Sequence, residues 1–200
     1  MEHTICIFGD SIVRGAWDRE KGGRVQRLRT HFETKNFDVF IYNCGVSGDT
    51  TETLLKRFLP ECEARKPTII VFAIGTNDDA MLQNNQSQIF PEQFMNNVQE
   101  LITQAKAYTE DIIFLGLTPV DETKTTPVAW DEHISYTWEN MRKYDQKLQE
   151  ICWLYSLPFV QVSDVLTLQD LEDGLHPTAT GHEKIYLKIK EALLPYLSRS

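Results

Sequence analysis

The alternation of short apolar runs with longer amphipathic stretches constrains this chain more than any other feature. Four runs are rich in Ile, Val and Phe and show little polar alternation, which is typical of parallel strands covered on both faces. These runs are Thr4–Phe8, Phe37–Tyr42, Thr68–Ile74 and Asp111–Leu117, and a shorter fifth run is Pro158–Val160. The alternating order of strands and helices predicts a three-layer α/β/α sandwich with right-handed crossovers.

The stretches between these runs have helical spacing. Three stripes of apolar residues begin at Phe94, Met141 and Ile185, and each continues at intervals of three or four residues. Weaker helical patterns cover Val25–Phe32 and Thr51–Phe58, and we expect Pro60 to break or kink the second helix because proline lacks a backbone N–H. Five parallel strands in a flavodoxin-like arrangement fit this pattern best.

Size and charge exclude several classes of protein. The 200 residues suit one domain with a sizeable core, and an apolar fraction of 42% is ordinary for a globular protein. A net charge of −9 argues against a nucleic-acid partner, because phosphate binding needs clustered Lys and Arg. The same charge disfavours anionic membrane surfaces. No apolar run approaches the roughly 18 residues of a membrane-spanning helix, so we expect no membrane span.

The N-terminal residues and the cysteines both predict a cytoplasmic location. The first residues include no basic segment or small-residue cleavage site, so we expect no signal peptide. Cys6, Cys44, Cys62 and Cys152 lie far apart and show no C-x-x-C spacing. They are therefore predicted to be reduced thiols, mostly buried, as is usual in the cytosol.

Four polar motifs follow predicted strands. Gly9-Asp10-Ser11 follows the first strand, Gly45–Thr50 follows the second, and Gly75–Asp78 follows the third. Asp173–His176 follows the last strand after a short segment. Ligands of open α/β sheets bind outside the carboxyl ends of the strands. We therefore expect all four motifs to open onto one rim of the sheet.

The residue types in these motifs suit nucleophilic catalysis. A serine hydroxyl is a poor nucleophile at neutral pH and needs a base beside it, and an imidazole serves only when a partner holds its tautomer. The sequence has one candidate for each role: Ser11 as the nucleophile, His176 as the base and Asp173 as the partner that holds the imidazole. Taken singly, each motif also fits an ordinary structural role. Ser11 suits a helix cap, Asn77 an Asx-turn, and the Asp-x-x-His segment a turn before a helix.

Taken together, the motifs resemble those of the SGNH hydrolases, also called the GDSL family of esterases and lipases. The first block of that family is similar to Phe8–Ile12, the second to Gly45–Thr51, the third to Ile74–Asp78 and the fifth to Asp173–Pro177. Ile12 stands where Leu is usual in the family, and Thr76 stands where Gly is common. The resemblance runs from residue 9 to residue 177 and implies a single SGNH-type hydrolase domain over residues 1–200.

The resemblance also implies roles for five residues. Ser11 would be the nucleophile, His176 the general base and then acid, and Asp173 the orienting carboxylate. The oxyanion hole would consist of the Ser11 N–H, the Gly48 N–H and the side-chain amide of Asn77. The implied chemistry is hydrolysis of a small-molecule ester through an acyl-serine intermediate, with no metal and no organic cofactor.

Three functions follow in order of preference. The first is a carboxylic ester hydrolase for small to medium acyl groups. The second is an O-deacetylase for a carbohydrate or another metabolite that uses the same triad. The third is a non-catalytic, flavodoxin-like binding module, which the joint presence of all the motifs disfavours.

Four further residues are candidates for substrate binding. Arg14 and Trp17 lie within one or two helical turns of Ser11. Trp130 and His133 belong to the only long irregular stretch that we predict, residues 118–133. A loop of this length inside a compact domain is usually functional or disordered.

Overall fold

The structure is a computed structural model that describes residues 2–35 and 38–198. Its main sheet has five parallel strands, which are β1 (His3–Gly9), β2 (Val39–Gly45), β3 (Ile69–Ala73), β5 (Ile112–Leu115) and β7 (Phe159–Val160). Their order across the sheet is β2-β1-β3-β5-β7. The prediction of a five-stranded parallel sheet is confirmed. Phe37, the first residue of the second predicted strand, lies outside the described residues.

Helices cover both faces of this sheet. They are α1 (Ser11–Arg14), α2 (Gly23–Glu33), α3 (Thr51–Arg65), α4 (Pro91–Ala105), α5 (Glu122–Thr125), α6 (Trp138–Leu154) and α7 (Ala179–Leu197). Two single turns of 3-10 helix, Ser163–Val165 and Leu168–Asp170, precede the last helix. None of the helices in the described part of the chain is long and apolar enough to cross a membrane.

Alternate side chains of the strands form two separate apolar cores. In β1, Cys6 and Phe8 point to the core shared with α3, α4 and α6, whereas Ile5 and Ile7 point to the core shared with α2 and α7. All four side chains have no solvent exposure. A strand with helices on both faces buries its whole side-chain set, which explains why these runs lack polar alternation.

The three predicted apolar stripes lie on α4, α6 and α7, so those helix predictions are confirmed. Of the predicted break or kink at Pro60, the break does not occur, because α3 continues to Arg65. Pro60 is exposed, whereas Leu54, Phe58 and Cys62 form the buried face of the helix. The proline therefore removes a hydrogen bond only on the solvent side, and the apolar contacts of the inner face continue past it.

The stretch 118–133 is less irregular than predicted. It contains α5, whose cap is Asp121, because the Asp121 carboxylate accepts from the backbone N–H of Thr123. Directly after it, β6 (Ile134–Ser135) pairs in antiparallel fashion with β4 (Met81–Leu82) to form a second, two-stranded sheet. These contacts tie the stretch to the segment that follows β3.

The carboxyl ends of the central strands meet at one level. Gly9 stands opposite both Gly45 in β2 and Ala73 in β3. A Cβ atom at Gly9 would lie 2.2 Å from the carbonyl oxygen of Ala73, so only glycine permits this close approach. The polar motifs that follow these three strands therefore begin side by side, as predicted.

Candidate active site

Ser11 occupies the first position of α1, directly after the end of β1. Asp10 caps this short helix, because its Oδ1 accepts a 2.9 Å hydrogen bond from the backbone N–H of Ile12. Asp10 is buried, and burial raises the pKa of its carboxyl. The cap holds the turn in which the Ser11 hydroxyl emerges from the edge of the sheet.

Ser11, His176 and Asp173 form a chain of short contacts. Ser11 Oγ lies 2.8 Å from Nε2 of His176, although 165 residues separate the two in sequence. On the other side of the ring, Nδ1 of His176 lies 2.8 Å from Oδ2 of Asp173. The remaining oxygen of Asp173 accepts the backbone N–H groups of His176 and Leu175, at 2.9 and 3.1 Å.

These contacts keep the carboxylate of Asp173 ionised. Partial burial opposes ionisation, but the hydrogen bonds from the His176 ring and from the two backbone N–H groups hold the pKa of Asp173 well below its usual range. An ionised Asp173 accepts a hydrogen bond from the Nδ1–H group of His176, which leaves the Nε2 lone pair directed at the Ser11 hydroxyl. The arrangement can therefore move a proton from the hydroxyl to the imidazole.

Gly48 lies in the loop between β2 and α3. Its φ of +82° is in the left-handed region, and an added Cβ atom would meet no protein atom within 4 Å. Thr50 caps α3 through reciprocal hydrogen bonds with Thr53 and so sets where the loop ends. Gly48 therefore presents its backbone to open space within the cavity instead of to packed protein.

Arg57 fastens this loop to the strand ends. Its guanidinium group pairs with Asp49 at 2.5 Å and also donates to the carbonyl oxygens of Gly9 and Cys44, at 3.2 and 2.9 Å. One side chain on α3 thus joins the carboxyl-terminal ends of β1 and β2 to the loop that contains Gly48.

Two neighbours orient the side-chain amide of Asn77. Its Nδ2 donates to the backbone carbonyl of Asp49 at 2.9 Å, and its Oδ1 accepts from the hydroxyl of Tyr136 at 3.1 Å. The donor on one side and the acceptor on the other allow only one orientation of the amide. One of the two Nδ2 hydrogens is then available to the cavity.

Two buried acids follow Asn77. Asp78 accepts the backbone N–H of Thr51, the first residue of α3, at 3.0 Å, and burial raises its pKa to about 7. Asp79 is also buried, and neither of its carboxyl oxygens has a hydrogen-bond partner within the described chain. Burial, followed by the charge of Asp78, raises the pKa of Asp79 well above its usual range.

The three predicted oxyanion-hole residues, Ser11, Gly48 and Asn77, line one cavity together with His176. Its volume is about 770 Å³. Across residues 2–35 and 38–198, the backbone N–H groups of Ser11 and Gly48 donate to no protein acceptor. With the second Nδ2 hydrogen of Asn77, three N–H donors without an acceptor in the described chain belong to residues that line this cavity. Donors arranged in this way can hold a negatively charged oxygen.

The other predicted binding residues do not all reach this cavity. Arg14, Trp17 and Trp130 line it, and the rings of Trp130 and His176 lie 5.7 Å apart between centroids. His133 does not line it, because its ring faces the side chain of Gln83 at the surface. Within the described ranges, no group of three or more His, Cys, Asp or Glu side chains could hold a metal ion.

Comparison with known proteins assigns the chain to a family. The model of the GDSL-like lipase/acylhydrolase family matches residues 7–184, which include every motif described above. The chain belongs to the GDSL-like lipase/acylhydrolase family. The resemblance inferred from the sequence motifs is therefore confirmed.

Three curated proteins are similar to this GDSL-family chain. Esterase TesA of Pseudomonas aeruginosa is 25% identical over 57% of the chain, and the uncharacterized lipoprotein YqeF of Bacillus subtilis is 29% identical over 59%. The matches span about half the length of these two relatives, 54% and 49%. The isoamyl acetate-hydrolyzing esterase of Saccharomyces cerevisiae is 27% identical over 94% of the chain and 86% of that protein.

Solved structures share the fold. A lipase/acylhydrolase from Enterococcus faecalis superposes with a TM-score of 0.78 at 24% identity and covers 97% of this chain and 96% of its own. A catalytic mutant of Axe2, an acetylxylan esterase from Geobacillus stearothermophilus, superposes with a TM-score of 0.74 at 18% identity, over 96% and 94% of the two chains. These neighbours confirm the α/β fold.

The sequence analysis missed two contacts in this GDSL-family site. Tyr136 was not recognised, although its hydroxyl orients Asn77 from 59 residues away. Trp17 was identified only as a candidate wall of the pocket, but its indole N–H donates to Asp173 Oδ2 at 2.7 Å. Neither contact has a local sequence signal, because both partners come from distant segments.

Proposed function

We propose that this protein hydrolyses carboxylic esters of small to medium acyl groups through an acyl-serine intermediate. The observation that best supports this proposal is the series of 2.8 Å contacts from Ser11 Oγ to His176 Nε2 and from His176 Nδ1 to Asp173 Oδ2. Membership of the GDSL-like lipase/acylhydrolase family supports the same reaction class.

The first half of the reaction forms the acyl-enzyme. His176 Nε2 accepts the hydroxyl proton while Ser11 Oγ attacks the carbonyl carbon of the ester. The resulting oxyanion accepts hydrogen bonds from the backbone N–H groups of Ser11 and Gly48 and from the Asn77 amide. When the C–O bond to the alcohol breaks, the leaving oxygen takes the proton from His176 Nε2.

The second half releases the acid. A water molecule gives a proton to His176 Nε2 and attacks the acyl-serine carbonyl carbon, which forms a second oxyanion in the same position. Collapse of that intermediate breaks the bond to Ser11 Oγ, which recovers its proton from His176. Asp173 stays ionised throughout and stabilises the imidazolium that forms twice in each cycle.

A second candidate within the same chemistry is O-deacetylation of a carbohydrate or another acetylated metabolite. The observation in its favour is that Trp17 and Trp130 both line the cavity and that these residues are 45% and 52% exposed. Exposed indole faces offer flat apolar surfaces with a polar edge, which suits the partly apolar face of a sugar ring.

The cysteines support a reducing compartment. Cys6, Cys44, Cys62 and Cys152 are all free and buried. Free buried thiols are usual in proteins of the cytosol, so the cytoplasm is the location that we propose.

The proposed reaction is tested by labelling and by a panel of substrates. A fluorophosphonate probe should label the wild-type protein and the Ser163→Ala control, whose serine lies outside the cavity, but not the Ser11→Ala variant. Nitrophenyl esters from acetate to palmitate, together with acetylated sugars, distinguish the two candidate functions. Unchanged ester turnover by pure Ser11→Ala protein would contradict the proposal.

A further inference from the structure

We propose that the cavity selects esters that carry an anionic oxygen group, a carboxylate or a phosphate, near the scissile bond. This inference rests on the proposed ester hydrolysis at Ser11 and adds the class of substrate. It comes from two arginine side chains, Arg14 and Arg19, which line the same cavity as Ser11 in a chain whose net charge is −9.

Arg14 is held beside the candidate oxyanion hole. It ends α1, three residues after Ser11, and its Nε donates to the hydroxyl of Ser47 at 2.7 Å. Ser47 directly precedes Gly48, so the guanidinium group lies next to the loop that offers the Gly48 N–H. The contact uses only Nε and leaves both terminal nitrogens of Arg14 available to a ligand.

Arg19 lies against an aromatic wall of the cavity. Its guanidinium carbon is 5.7 Å from the ring centroid of Trp17. A cation above an indole face is attracted by the ring and loses some of its freedom, while its N–H groups remain free to bind an anion. Arg19 therefore extends the cationic part of the wall beyond Arg14.

Neither arginine has an acidic partner in the described part of the chain. Other arginines do form ion pairs with Asp or Glu side chains, and these are Arg27, Arg29, Arg57 and Arg65. Arg24 and Arg142 likewise form no ion pair within the described residues, but neither lines the cavity that contains Ser11. The two that line the cavity offer their charge to a ligand.

Both acids of the cavity wall already have ion-pair or hydrogen-bond partners. Asp18 pairs with Arg27 and accepts the backbone N–H of Gly23. Asp173 accepts hydrogen bonds from His176 and Trp17. Asp173 keeps its negative charge, but the wall carries two arginines against this one carboxylate and therefore remains net positive, although the molecule as a whole is negative.

Guanidinium groups bind carboxylates and phosphates through paired N–H donors. The charge of such a group is present in the bound substrate and in the transition state alike. Its recognition therefore lowers KM and leaves kcat almost unchanged. Because both arginines are exposed, each contact contributes modestly, and we expect the two together to favour an anionic ester about five- to tenfold at low ionic strength.

The test compares three anionic esters with two neutral esters of similar size. For charge in the alcohol part, 3-acetoxypropanoate and, as the phosphate arm, 2-acetoxyethyl phosphate are each compared with 3-acetoxypropanamide. For charge in the acyl part, the pair is monoethyl succinate and ethyl succinamate. Each rate is measured by acid release at low salt and again at about 0.5 M NaCl, where surface charges are screened.

In at least one arm, the kcat/KM of the wild-type protein should be about five to ten times higher for the anionic ester than for the neutral one. The difference should come from a lower KM for the anionic ester, and added salt should reduce it. The double variant Arg14→Gln, Arg19→Gln should lower the ratio to near one. The control Arg29→Gln, an exposed arginine outside the cavity, should retain it. Because each ratio is taken within one protein preparation, partial loss of folding changes both rates equally and does not change the ratio.

A wild-type ratio near one in every arm would overturn the proposal, as would a ratio that persists in the double variant. Failure of the proposed function gives a different result. In that case, no ester is hydrolysed, neutral or anionic, and the fluorophosphonate probe does not label Ser11. If the protein hydrolyses esters and the probe labels Ser11, but the anionic-to-neutral kcat/KM ratio is near one, only the proposed charge selection is contradicted.

Discussion

The indole N–H of Trp17 donates a 2.7 Å hydrogen bond to Oδ2 of Asp173, the same oxygen that faces Nδ1 of His176. Trp17 has a φ of +65°, in the left-handed region that bulky residues rarely adopt. The surrounding structure therefore holds this indole in place at a cost in backbone strain. A donor at this position stabilises the ionised carboxylate and limits its rotation.

We therefore expect Trp17→Phe to lower kcat/KM about fivefold, because the phenyl ring retains the apolar contact but lacks the N–H. Steady-state kinetics on a small acetate ester provide the measurement. Trp153→Phe is the matched control, since Trp153 is 83% exposed and lies outside the cavity. Equal rates for Trp17→Phe and the control would exclude Trp17 from the positioning of Asp173.

The contact between Tyr136 and Asn77 makes a second prediction. Asn77→Ala removes the amide donor and should lower kcat by about 10²–10³-fold. Tyr136→Phe removes only the hydrogen bond that orients the amide, so kcat should fall about fivefold with little change in KM.

A double-mutant cycle checks this assignment. If Tyr136 acts through the amide, Tyr136→Phe should have no further effect once Asn77 is alanine. Tyr108→Phe, on a tyrosine outside the cavity, should retain wild-type kcat. Additive losses in the double variant would show that Tyr136 acts independently of Asn77.

A substitution at Gly48 should affect catalytic activity much more than stability. A Cβ atom at this position meets no protein atom within 4 Å but requires a non-glycine residue at a φ of +82°. We expect Gly48→Ala to lower the free energy of unfolding by only about 1–2 kcal/mol, the cost of left-handed backbone. Its methyl group would enter the space that the substrate occupies, so kcat/KM should fall at least tenfold.

Urea denaturation and ester kinetics on one preparation measure both effects. Unchanged kinetics would be evidence against a Gly48 N–H in the oxyanion hole.

His182 makes a prediction about stability and pH. Its ring is buried, with Nε2 at 2.9 Å from the carbonyl oxygen of Ala16 and Nδ1 facing the backbone N–H of Arg24. Burial, followed by the charge of Arg24, lowers the pKa of His182 to about 4. The unfolded chain therefore binds this proton more readily than the folded protein between about pH 4 and 6.5. The stabilisation is fully present above pH 6.5 and is lost as the pH falls towards 4.

Between pH 7 and pH 5, the free energy of unfolding should fall by about 2 kcal/mol more for the wild type than for His182→Gln. Asp78, whose pKa burial raises to about 7, has the opposite pH dependence, but both proteins retain it and its contribution cancels in the difference. Urea denaturation at the two pH values measures this difference. Parallel pH profiles for the two proteins would show that His182 does not titrate as its burial implies.

The sequence by itself determined the sheet and the identity of the polar motifs. Strands covered on both faces need nearly continuous apolar residues, and a run such as Thr68–Ile74 expresses that requirement locally. Parallel strands also bring their carboxyl ends to one edge, so Ser11, Gly48 and Asn77 could be assigned to a common rim before any distance was known.

Only the tertiary structure decided which side chains support those motifs. Tyr136 supports Asn77 and Trp17 supports Asp173, and the positions of these two aromatic residues depend on the paths of irregular segments that have no periodic pattern. The continuation of α3 through Pro60 also depended on context, because the proline lies on the solvent face while the opposite face packs against the sheet. Periodicity reports which faces of an element are buried, whereas a hydrogen bond between distant loops exists only once the whole chain has folded.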